Sequence, residues 1–154
     1  MRGMTGMRLL RLALVAVVGC SDTGPDGVGF LAVLSGLNEV PPIVVLSGAT
    51  ASFTVTSGQI AYEINVQNIT GVTDAGIYLG AAGEVGPKVA DLYAGATSGP
   101  ITAGTLVSGT ISASGLTALS LDSLQVLMHN GAAYVNILTT ALPSGEVRGQ
   151  IYQN

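Results

Sequence analysis

The chain has 154 residues, 48% of them hydrophobic and only 9% charged, with five basic residues, nine acidic residues and one histidine. Arg2, Arg8 and Arg11 precede residue 20, so residues 20–154 keep only Lys88 and Arg148 against all nine acids, a net charge of −7. Phosphate binding needs clustered Lys and Arg, so nucleic acid is excluded, and no basic patch exists for anionic lipid heads.

The first element is a leader. Three arginines are followed by an uninterrupted apolar run from Leu12 to Val18, then Gly19 and Cys20. That is the order of a signal peptide. The run is far shorter than the roughly 20 residues a spanning helix needs. Val17-Val18-Gly19-Cys20 resembles the lipobox cut by lipoprotein signal peptidase, and Cys20 is the only cysteine. A plain secretory cut would leave a lone free thiol in an oxidising compartment, whereas lipidation of Cys20 explains both its number and its place. Ser21 in place of an aspartate resembles an outer-membrane sorting signal of a diderm bacterium. The expected product is exported and lipid-anchored in the cell envelope, touching the membrane through the lipid on Cys20. The expected division is 1–19 signal peptide, 20–28 lipidated cysteine and polar tether, and 29–154 a single folded domain.

The domain reads as strands. Phe30 to Leu34 is the first. Ala49, Ala51, Phe53 and Val55 alternate with Thr50, Ser52, Thr54 and Thr56; after Ser57-Gly58, Ile60, Tyr62, Ile64 and Val66 alternate with polar or small residues. Period-two alternation on both sides of a Ser-Gly turn predicts a hairpin with one wet face. Lys88 to Tyr93 and Thr105 to Ala113 follow. A short helix begins at Ser120, shows Leu121, Leu124, Leu127 and Met128 on one face, and stops at Gly131. Ala133 to Thr139 and Glu146 to Tyr152 make a closing hairpin across Leu142-Pro143-Ser144-Gly145. The expected fold is all-β: one antiparallel, Greek-key-like β-sandwich of about eight strands with one short helix.

Four blocks carry a resemblance. Ser35-Gly36-Leu37-Asn38-Glu39-Val40-Pro41-Pro42 resembles the opening signature of the CHRD (chordin-like) domain. Leu79 to Pro87, Leu-Gly-Ala-Ala-Gly-Glu-Val-Gly-Pro, resembles its central glycine-rich loop. Ala133-Tyr134-Val135-Asn136 and Pro143-Ser144-Gly145-Glu146-Val147-Arg148-Gly149-Gln150-Ile151 resemble its closing motifs. The blocks stand in the family's order over about 29 to 152. The resemblance implies a β-sandwich used as an extracellular module.

The resemblance also shows what is missing. Members of the family commonly carry His-Ile-His before the glycine-rich loop and Val-Asn-Val-His in the penultimate strand. Gly76, Tyr78 and Leu138 occupy those three histidine positions here. Gly, Tyr and Leu cannot replace imidazoles at a zinc or copper site, so no metal and no cofactor are expected, and the three positions are expected to lie close together. His129, the sole histidine, falls at the helix end and reads as a solvated turn residue. Gly83-Glu84-Val85-Gly86 lacks the lysine of a phosphate loop. Asp74, Glu84 and Asp91 lack the dense Asx pattern of a calcium loop. Glu39 and Glu146 read as structural hydrogen-bond acceptors, with Glu146 and Arg148 placed to pair with each other or across strands. No catalytic constellation emerges. The expected function is a non-enzymatic, lipid-anchored envelope module with a binding or structural role, its partner an envelope protein or glycan. The alternative is a metal-dependent, dismutase-like enzyme or a degenerate relative of one, marked by stoichiometric copper, zinc or iron.

Overall fold

The structure, a computed structural model, describes residues 27–154; the signal segment and Cys20 lie outside the described residues. The chain forms β1 (Val28–Ser35), β2 (Gly48–Thr56), β3 (Gln59–Thr70), β4 (Val72–Leu79), β5 (Lys88–Ala94), β6 (Pro100–Ile111), α1 (Leu121–His129), β7 (Ala133–Thr139) and β8 (Val147–Gln153). The fold is all-β apart from this one helix and two single 3₁₀ turns.

The β2–β3 hairpin forms where alternation places it. Phe53 pairs with Tyr62, Ala51 with Ile64 and Val55 with Ile60. Gly58 supplies the positive φ of 88° that its turn requires. Phe53 and Ile64 both lie in the core, 2% and 0% exposed. β7 and β8 pair as the closing hairpin, Tyr134 with Gln150 and Ile137 with Val147.

All eight strands belong to one antiparallel sheet in the order β5-β4-β7-β8-β1-β2-β3-β6. The two layers of the expected sandwich are therefore halves of a continuous sheet that nearly closes on itself. Tyr62 of β3 donates its hydroxyl to the Leu92 carbonyl of edge strand β5 at 2.7 Å, tying the two flanks together. The α1 helix starts as predicted: Ser120 Oγ accepts from the Ser123 amide at 3.2 Å. Its Leu124 and Met128 are fully buried in the core that the inward-facing strand residues fill.

Strand β4 has no counterpart in the alternation pattern. Val72, Ala75, Gly76 and Ile77 are all buried, and register shifts fall between Ala75 and Gly76 and between Ile77 and Tyr78. A strand flanked by two others, irregular and covered on both faces, carries no period-two signature. Strand β6 starts at Pro100, five residues before the alternation suggests, because Thr, Ala and Gly fill its first half.

Truncating a buried Phe usually costs about 3–5 kcal/mol. Phe53→Ala is expected to destabilise the domain by that amount in urea unfolding, while half-buried Thr54→Ala on the opposite face costs under about 1 kcal/mol. Equal small losses at both positions would contradict the strand phase.

Candidate functional site

The four sequence blocks meet in space. β7 lies between β4 and β8, so Tyr134 has Tyr78 beside it on one strand and the β8 side chains on the other. Tyr78 stacks on Tyr134 with ring centroids 5.4 Å apart and 14° between planes. The Arg148 guanidinium sits 3.4 Å from the Tyr134 centroid. A desolvated contact of this kind contributes about 2 kcal/mol, and Arg148 is only 2% exposed.

The glycine-rich loop after β4 folds over the outer face of β7 and β8. Arg148 Nη2 donates to the Ala81 carbonyl at 3.0 Å. Gln150 Nε2 donates to the carbonyls of Gly80 and Gly131 at 2.7 and 2.6 Å. The Gly86 amide donates to Tyr134 Oη at 3.3 Å. Gly80 runs at φ 146° and a Cβ there would touch the Tyr134 ring at 3.3 Å, so glycine is what lets the loop lie this close.

The segment after β1 folds onto the same face. Its 3₁₀ turn, Gly36–Asn38, ends at Glu39, which is 8% exposed. Glu39 Oε1 and Asn136 Oδ1 are both buried and lack a hydrogen-bond partner among the described residues. Both atoms lie 2.7 Å from the point where a Cβ on Gly145 would stand, so the β7–β8 turn presses against the pair and admits only glycine there. Burial pushes the Glu39 carboxyl up to about 7, while Arg148, Asn136 and the Val40 amide pull it partly back.

Between the two loops runs a groove of about 740 Å³ on the outer face of β1 and β8. Leu31, Val33, Leu37, Val40, Pro42 and Tyr152 give it apolar walls; Glu39, Arg148 and Gln150 give it a polar base. Its size and mixture of apolar walls with few convergent polar groups are those of a ligand site.

A family model for the CHRD domain matches residues 30–151. The chain belongs to the CHRD domain family. Neither the comparison with curated proteins nor that with solved structures finds a match.

The histidine positions of the CHRD resemblance fall on neighbouring strands. Gly76 pairs with Asn136, Tyr78 with Tyr134, and Leu138 with Asp74. Gly76 thus stands two residues from Tyr78 on β4, while Leu138 is four residues along β7 from the partner of Tyr78. The space beside Gly76 is taken by a lysine and by backbone: a Cβ there would meet Lys88 Cε at 2.7 Å and the Ala90 carbonyl oxygen at 2.8 Å. Lys88 Nζ bonds Asp74 at 2.6 Å and Asp91 at 2.7 Å. These two carboxylates raise the Lys88 pKa against the opposing effect of burial. Gly, Tyr, Leu and an ammonium do not fit a metal ion, and among the described residues no three His, Cys, Asp or Glu side chains gather where one could be held.

Glu146 acts as a structural acceptor, taking the Thr139 hydroxyl at 2.7 Å. Arg148 turns instead toward Tyr134, Ala81 and the side of Glu39. His129 lies at the helix end with Nδ1 2.6 Å from Gln153 Oε1.

A carboxyl whose folded pKa is raised binds its proton more tightly folded than unfolded. Its favourable contribution is complete below the unfolded value of 4.5 and is lost as pH rises through about 7. Thermal stability is expected to fall between pH 5 and 8, and Glu39→Gln is expected to flatten that fall. An unchanged slope in Glu39→Gln would contradict the burial of this carboxyl. On the other flank, the Cβ of Gly76→Ala presses on the Ala90 carbonyl and on Lys88 and is expected to lower the melting temperature by several degrees, roughly the effect of 1 kcal/mol.

Proposed function

We propose that this CHRD domain is a non-enzymatic binding module of the cell envelope, held at the membrane by lipid on Cys20, with its ligand taken in the groove between the 36–42 and 80–86 segments. The observation that carries the reading is the groove itself. Its polar base is Glu39 and Arg148, 8% and 2% exposed, both supplied by the segments that mark the family. Burying a charge is expensive unless something compensates for it, and the apolar core is filled by other residues on the opposite face of the strands. The remaining structure serves to position them.

Support for anchoring comes from Val17-Val18-Gly19-Cys20 after a short apolar run. An outer-membrane address in a diderm bacterium follows from Ser21. No described helix is long and apolar enough to cross a membrane.

Two measurements test the reading. Cys20→Ser is expected to abolish lipidation and leave the chain uncut or in the soluble fraction; a variant that fractionates with membranes at mature length contradicts the anchor. Val33 is 62% exposed on the groove wall. Val33→Asp is expected to abolish envelope crosslinks made by the parent without changing its melting temperature, and undiminished crosslinking contradicts the groove as the binding site.

A further inference from the structure

The groove's chemistry narrows its ligand, given the reading of it as a binding site. β1 and β8, which form its floor, are hydrogen-bonded to each other, Leu31 with Tyr152 and Ser35 with Arg148. No free strand edge is offered there, so an extended peptide has no backbone ladder to join. The walls are chiefly aliphatic with a single ring, Tyr152, which suits a hydrocarbon chain better than the hydroxyl-rich face of a sugar.

The base of the groove selects the head group. Among the described residues Arg148 is the only cation near it; the other, Lys88, is committed to Asp74 and Asp91. Of the five N–H donors of Arg148, one hydrogen bond is made to the described residues, to the Ala81 carbonyl. The Glu39 carboxyl is close enough to feel the guanidinium charge, while its unpartnered Oε1 lies against Asn136 and Gly145. A guanidinium recognises a planar carboxylate through paired hydrogen bonds. We propose that the groove binds an aliphatic carboxylic acid, its carboxylate against Arg148 and Glu39 and its alkyl chain along Leu31, Val33, Leu37 and Val40.

Two carboxyl groups at one guanidinium cannot both stay ionised without repulsion. Burial already favours the neutral form of Glu39, so the ligand enters with a proton retained on Glu39. The other acids on the surrounding elements are Glu84, whose Oε2 takes the Ala81 amide, and Glu146, which takes the Thr139 hydroxyl. Tyr134 lies under the guanidinium. The pH dependence of the affinity is therefore set chiefly by Glu39: binding weakens as pH rises.

The test is calorimetric titration of the full chain carrying Cys20→Ser with decanoate, and with decanol as the chain-matched neutral probe. Decanoate is expected to bind at least about tenfold tighter than decanol, because a charge-assisted pair adds to the same chain burial. Its affinity is expected to drop as much as tenfold per pH unit above about 7, one proton being linked. Glu39→Gln is expected to keep decanoate binding and lose the pH dependence; Arg148→Gln is expected to reduce decanoate to the level of decanol. Should Arg148→Gln fail to fold, Val33→Asp, at an exposed wall position, is expected to weaken decanoate binding in a folded chain. Equal affinity for decanoate and decanol, no binding of decanoate, or a pH dependence that survives Glu39→Gln overturns the proposal. If decanoate does not bind while envelope crosslinks still require Val33, the binding-module reading stands and only this ligand class falls.

Discussion

Burial of Arg148 is the constraint on which the outer face depends. A guanidinium is always charged and keeps its cost of desolvation unless its surroundings repay it. Here the repayment comes from three directions: the Tyr134 ring, the Ala81 carbonyl and the nearby Glu39 carboxyl. These groups come from β7, the glycine-rich loop and the segment after β1. One side chain thus fixes two loops and a strand that are distant in sequence. The backbone cooperates where it must be thin, with Gly80 against Tyr134 and Gly145 against the Glu39–Asn136 pair.

The groove follows from that arrangement. The two loops meet the face of β8 at its Arg148 end and stand clear of Leu31, Val33 and Tyr152, which stay open between them. The sheet interior is filled separately by the alternating apolar residues and by Leu124 and Met128 of the helix. Core stability and the polar base of the groove are thus carried by different residues on opposite faces of the same strands. On the far side of Tyr134, Tyr78 continues the stack and Lys88 fills the space beside Gly76. The Lys88 ammonium there is held by Asp74 and Asp91.

Much of the fold is legible along the chain because much of it has one wet face. The β2–β3 hairpin, the closing hairpin and the Ser120-capped helix are local patterns written in neighbouring residues. β4 is not, since it is covered on both faces and shifts register against both of its neighbours. The closure of the sheet by Tyr62 and Leu92 is a contact across 30 positions, which no local pattern encodes. The site lay inside the recognisable blocks, yet its chemistry was hidden there. Along the chain Glu39 reads as a structural acceptor, and Glu146 and Arg148 read as residues that pair with each other or across strands. What distinguishes them is burial and the company of Tyr134, and both are properties of the packed sheet. Lys88 gave no signal at all, because its role depends on the empty side of Gly76.

Titration of the Glu39 carboxyl carbon by NMR in the folded chain reads this burial directly. A buried Glu39 has a midpoint of about 7, moving higher still in Arg148→Gln, because the guanidinium is the main group holding it down. A midpoint near the ordinary 4.5, indifferent to the loss of Arg148, would mean that Glu39 is solvated and that the two loops do not close over a buried pair.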